Sequence, residues 1–179
     1  MRERRTTSNP DDGLTRVELY VRSLSPAGAR SRQDAVIERL AALTEHDTIG
    51  EYAVHVWGTG IRPDSPTART PSGAFASERL GAFEDWAARN GVTLGGAFHM
   101  REVNSTLTGK SYTERSFPVL TLAAFSRASG ARSFERAGRS VAPTAFSGPK
   151  LRCVAPYREG SSTYSVEDCL DAIEGGRAL

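Results

Sequence analysis

The chain has 179 residues, of which 39% are hydrophobic and 25% charged. That is the size and make-up of one globular domain, and it excludes a disordered polymer. Its net charge of +2, from 23 basic and 21 acidic residues, selects no nucleic-acid partner by itself. No stretch approaches the 18 apolar residues of a membrane span, and the basic start at Met1–Ser8 has no apolar run behind it. Two cysteines, Cys153 and Cys169, are too few to frame a disulfide scaffold. The expected location is the cytoplasm.

Residues 1–13 read as a disordered polar lead ending in the turn-rich Asn9-Pro10-Asp11-Asp12-Gly13, and 14–179 as a single α/β domain. Val17, Leu19 and Val21 alternate with Glu18 and Arg22, the period of a strand. Ser25-Pro26 then offers a helix cap with proline in the first turn, and Ser31 with Asp34 offers a second start. Val36, Ile37, Leu40, Ala41 and Leu43 recur at helical spacing through Glu45. A second strand follows at Glu51–Gly58, where Tyr52, Val54 and Val56 alternate with Ala53, His55 and Trp57. Strand, helix and strand over about forty residues make a βαβ unit, whose strands should pair in parallel.

A loop with Pro63 and Pro66 leads to Thr70-Pro71, a second cap with first-turn proline. The helix behind it carries Phe75, Leu80, Phe83 and Trp86 and stops at Asn90-Gly91. Phe98–Val103 reads as a short edge strand, while Asn104–Ser116 is mostly polar. Phe117–Phe125 and Leu151–Tyr157 read as buried strands. Between them, residues 126–150 carry Arg127, Arg132, Arg136, Arg139 and Lys150 against Glu135 alone, a segment at +4 that leaves the remainder at −2. This segment reads as a basic, mobile hairpin insertion. The last helix opens with a capping box, Ser165 and Asp168, and ends at Gly175-Gly176.

The order β-α-β, α, β-β-α, with Phe117-Pro118 opening the penultimate core strand, resembles a thioredoxin-like fold. The resemblance covers residues 16–58 and 117–175. It implies a mixed four-stranded sheet with helices on both faces, and a cis Phe117–Pro118 bond beside the first strand-to-helix turn. The turn reads Ser25-Pro26-Ala27-Gly28 and lacks the Cys-x-x-Cys of redox members. Cys153 and Cys169 read as small core residues, so the module is expected to be redox-inactive. What the turn offers is a helix N-terminus able to hold an anion or a partner's backbone.

Other chemistries find little footing. Thr108-Gly109-Lys110-Ser111 lacks the earlier glycine of a phosphate-binding loop, since position 104 is asparagine, and leads into a strand instead of a helix. His46, His55 and His99 are isolated and show no zinc spacing. His55, next but one to Trp57, reads as a strand residue on a covered or partner-facing side. Glu84-Asp85 and Glu167-Asp168 fit a solvated helix face and a first helical turn. The chain is therefore read as no enzyme, with no cofactor and no metal.

Ala35–Leu43 followed by Ile49–Val56 looks like the recognition helix and wing of small winged-helix regulators. The chain as a whole resembles small haloarchaeal proteins described as helix-turn-helix domain proteins, through Val17–Ser25, Gln33–Gly58, Phe83–Asn90 and Val154–Leu170. That resemblance implies a winged-helix α+β alternative and a DNA-binding transcriptional regulator. The main expectation is a non-catalytic regulatory module that binds a protein partner in preference to a small molecule, through Ser25, Pro26, Gly28, Arg30, Phe117 and Pro118. The alternative partner is DNA, contacted by Arg32, Arg39, Arg127, Arg132, Arg136 and Arg139; no membrane is expected.

Overall fold

The computed structural model describes residues 13–24, 30–104, 109, 111–126, 149–177 and 179. The architecture is mixed α/β: a four-stranded mixed sheet, a smaller three-stranded sheet and three α-helices. Among the described residues no helix is long and apolar enough to cross a membrane.

The main sheet is built on β1 (Leu14–Val21), flanked by β2 (Glu51–Val56) and β6 (Leu120–Ser126), with β7 (Lys150–Ala155) outside β6. β1 and β2 pair in parallel from Arg16 opposite Glu51 to Val21 opposite Val56, as a βαβ unit requires. β6 is antiparallel to both β1 and β7. Val17, Leu19, Tyr20 and Val21 are fully buried. At roughly 1.5–3 kcal/mol for each large apolar side chain, this central strand anchors the core.

The crossover helix α1 (Arg30–Glu45) places Val36, Leu40 and Leu43 in the core. Of the two starts read from the sequence, Ser25-Pro26 lies outside the described residues, and Ser31 is inside α1. The opposite face of the sheet is covered by α2 (Pro71–Asn90). A one-turn 3-10 helix at Pro66–Arg69 precedes α2, whose cap is the expected one: the Thr70 hydroxyl accepts from Gly73 N–H at 3.2 Å. Gly91, at φ 66°, closes α2 in the left-handed conformation. α3 (Val166–Glu174) opens on the capping box, with Ser165 N–H donating to Asp168 Oδ2 at 2.7 Å.

The polar stretch 104–116 holds a strand that hydropathy did not show. β5 (Ser111–Ser116) pairs with β4 (Met100–Asn104) on one side and with β3 (Gly60–Ile61) on the other. This small sheet is half solvated, so its residues need no apolar alternation. Its β4–β5 hairpin is also compatible with the winged-helix alternative. A last hairpin, β8 (Tyr157–Glu159) with β9 (Ser162–Tyr164), leads into α3.

One expectation is corrected. The cis peptide among the described residues is Ala155–Pro156, not Phe117–Pro118. Phe117 runs on extended from β5, its N–H donating to Thr59 O at 2.9 Å, whereas Ala155–Pro156 is the corner at which the chain leaves β7 for β8. Glu18, on the face of β1 opposite Val17, Leu19 and Val21, is 1% exposed, because α2 covers that side. There it accepts from Tyr20 Oη and from Arg79 Nη2 at 3.1 Å, with Arg16 Nε at 3.0 Å. Burial, and then the bond to Glu18, pushes the Tyr20 phenol above its ordinary range, so it remains a donor.

Candidate functional site

Of the expected partner surface, Ser25, Pro26 and Gly28 lie outside the described residues, and Arg30 is the first residue of α1. The remainder is well defined. Arg22, just past the end of β1, donates its backbone N–H to Val119 O at 3.3 Å. Its guanidinium donates Nε to Phe117 O at 2.7 Å and Nη2 to the same oxygen. The Phe117-Pro118 step is thus tied to Arg22 at the end of the first strand. Phe117 itself is fully buried and stacks on Trp57 at 4.3 Å between ring centroids. Its part in the site is to hold Arg22 through its carbonyl, while Pro118 reaches the surface.

Pro118 forms one wall of a cleft of about 530 Å³, with Arg22, Leu94, His99, Pro156 and Arg158 around it. Three local features build it. The corner at Pro156 swings β8 away from the main sheet. A pair of backbone bonds, Thr93 N–H to Arg158 O at 2.9 Å and Arg158 N–H to Thr93 O at 2.8 Å, pins the loop after α2 against β8. The hairpin then sets Thr163 opposite Arg158, and both line the cleft. No carboxylate is among the lining residues, whereas two guanidiniums and an imidazole are. Such a cleft suits a carbonyl-rich or anionic group carried on an apolar body.

The two arginines that α1 contributes to the DNA reading are engaged with α3. Arg32 forms a two-point ion pair with Glu167, at 2.5 and 2.7 Å. Arg39 bridges Asp171 at 2.6 Å and Glu174 at 2.8 Å. The Arg32 guanidinium holds the Glu167 carboxyl down at about 2, and the Asp171 and Glu174 carboxylates hold Arg39 firmly charged. A carboxyl depressed in the folded state stabilises the fold above its ordinary value of 4.5, and that contribution disappears as pH falls towards 2. The difference in unfolding midpoint between the wild type and Arg32→Ala should therefore be full at pH 6 and shrink steadily below about pH 4. A pH-independent difference in a urea series would contradict this. The pair is half exposed, so the gap at pH 6 should be modest, about 0.5–1 kcal/mol.

Arg127, Arg132, Arg136 and Arg139 lie outside the described residues, and so does residue 12 and all that precedes it. The ends that flank the basic segment are placed: Ser126 of β6 pairs with Lys150 of β7, the strand at the edge of the main sheet. The segment consequently leaves and re-enters at one end of an antiparallel pair.

Two constellations escaped the sequence reading. One is the Glu18–Tyr20–Arg16–Arg79 network, next to which His55 lies between Tyr20 and Phe75, at 5.2 and 5.1 Å. Burial lowers the His55 imidazole below its ordinary value. The signal available was the i, i+2 spacing of Arg16, Glu18 and Tyr20 on one strand face. The other is the meeting of Cys153 with Cys169, for which no spacing rule exists.

Consecutive helical elements joined by a short turn occur once among the described residues, where the 3-10 turn at Pro66–Arg69 meets α2. Yet the comparison with known families is clear: residues 9–178, nearly the whole chain, match a family described as a helix-turn-helix domain. No curated protein and no solved structure matches.

Proposed function

We propose that this chain, which belongs to the helix-turn-helix domain family, binds DNA and acts as a transcriptional regulator. The family match over residues 9–178 is the observation that carries the reading. Charge supports it: the +4 of residues 126–150 is concentrated in a segment whose ends sit at one side of the sheet, where several arginines can reach neighbouring phosphates. Arg127, Arg132, Arg136 and Arg139 are the proposed phosphate contacts. Arg32 and Arg39 join them only by leaving α3 carboxylates, so substituting them should weaken DNA binding less than substituting the four segment arginines.

Retardation of mixed duplexes in gel-shift titrations at about 50 mM salt, and its loss by about 200 mM, is the expected result. A chain that leaves every duplex free at the lower salt does not bind DNA, and the reading fails.

A second reading, a module that binds a protein partner, is favoured by the cleft beside Pro118. Pro118 and the carbonyl-anchored Arg22 line it, and Ser25, Pro26, Gly28 and Arg30 remain the other residues proposed for the partner. A photo-crosslinking amino acid placed at Pro118 in living cells should then yield a discrete higher-mass protein adduct. If only uncrosslinked chain is recovered, this second reading falls.

A further inference from the structure

We propose that Cys153 and Cys169 form a disulfide-forming modification site, oxidised by a small peroxide. The two residues are the chain's whole complement of cysteine, on β7 and on α3, and neither is in a disulfide in this structure. Their sulfurs nevertheless stand 3.2 Å apart, with the Cys169 S–H donating to Cys153 Sγ. Two side chains separated by 16 positions have been brought into direct contact by the packing of α3 on the sheet.

The pair is buried but not sealed. Cys153 is 3% and Cys169 5% exposed, and both line a cleft of about 290 Å³ together with Tyr157, Tyr164, Ala172 and Leu179. Hydrogen peroxide is small enough to enter such a cleft. The hydrogen bond to Cys153 and burial hold the Cys169 thiol protonated, so reaction is slow and a large excess of oxidant is needed.

The step balances as follows in atoms and electrons. The Cys153 sulfur attacks the peroxide, forming an S–O bond as the O–O bond breaks; the departing hydroxide takes the Cys153 thiol proton and leaves as water. The Cys169 sulfur then attacks the sulfenic sulfur. An S–S bond forms, the S–O bond breaks, and the second hydroxide leaves with the Cys169 proton as water. Two electrons pass from the two sulfurs to the peroxide.

Once formed, the bond would tie α3 to β7. Because Arg32 and Arg39 already tie α1 to α3, the crossover helix would be held to the sheet edge through the same link. This inference does not depend on DNA binding.

The test treats the purified full chain with millimolar hydrogen peroxide and reads its intact mass without reductant. A loss of about 2 Da, no titratable thiol in denaturant, a Cys153–Cys169 crosslinked peptide and reversal by dithiothreitol are expected. The oxidised chain should melt roughly 5–10 °C higher than the reduced one. Cys169→Ser should gain oxygen in place of losing two hydrogens. Two free thiols after treatment, oxygen added at either cysteine of the wild type, or covalent dimers in place of the internal crosslink would each overturn the proposal, and none of these readings requires a variant to fold; oxygen on the exposed Met100 is read separately from the peptide masses.

Discussion

Glu18→Ala is expected to destabilise the chain by about 3 kcal/mol, a large share of the 5–15 kcal/mol that holds a domain of this kind. The carboxylate is 1% exposed on the central strand, accepts from Tyr20 Oη and Arg79 Nη2, and forms an ion pair with Arg16 Nε. Removing it strands the buried phenol of Tyr20 and takes the carboxylate from Arg79, while Arg16 keeps Glu51 at 3.5 Å. The side chains of Arg16 and Arg79 are 36% and 27% exposed, so water recovers part of the loss and the figure falls at the lower end of the range for broken buried pairs. Glu18→Gln, which retains an acceptor of the same shape, should cost less. The Glu18→Ala/Arg79→Ala double variant should cost less than the two single changes combined, since both remove the same interaction. Urea unfolding at constant m measures all three. A loss under about 1 kcal/mol for Glu18→Ala would contradict the buried, ion-paired placement of Glu18.

Phe117→Ala should cost about 3–5 kcal/mol. The ring has no exposed surface and stacks on Trp57, and Phe98 meets it edge-on at a centroid distance of 6.4 Å. The substitution leaves a cavity where both sheets meet, since Phe117 follows β5 of the small sheet and precedes β6 of the large one. The backbone anchor from Arg22 to the Phe117 carbonyl would survive, because alanine keeps that oxygen. Tryptophan fluorescence should shift to longer wavelength as Trp57 loses its partner. Pro118→Ala, one residue on and half-exposed, should change stability by less than about 1 kcal/mol. Equal effects at the two positions would contradict the placement of Phe117 in the core and Pro118 at the cleft.

Much of the framework was legible because it follows from local rules. The alternation of Val17, Leu19 and Val21, the helical spacing of Val36, Leu40 and Leu43, and the caps at Thr70 and Ser165 each need only their own neighbours in sequence. The parallel pairing of β1 with β2 followed from the length of the crossover. What was not legible depends on which faces meet. The alternation puts Glu18 on the face opposite Val17, Leu19 and Val21 but does not say what it meets there; the arrival of α2 buries it. β5 carries no apolar alternation because its small sheet is largely solvated, so Ser111–Ser116 gave no hydropathic sign. Phe117–Pro118 and Ala155–Pro156 both open or close core strands, and which one adopts cis depends on where the chain turns a corner. The engagement of Arg32 and Arg39 by α3 needed the position of a helix more than 120 residues away.

The candidate sites divide the same way. The basic character of residues 126–150 is evident from composition alone, and so is the absence of sulfur at the Ser25–Gly28 turn. The cleft beside Pro118 is assembled from four separate stretches, which include the end of β1, the loop after α2 and the β8–β9 hairpin. No pattern along the chain announces it.

The salt dependence of DNA affinity, compared between the wild type and a variant with Arg127, Arg132, Arg136 and Arg139 all changed to alanine, bears most directly on the proposed function. If these arginines contact phosphates, the slope of log K against log salt should lose about 3.6, or about 0.9 for each arginine, while the thermal unfolding of the protein stays unchanged. Identical slopes for the two proteins, or binding by neither, would contradict it.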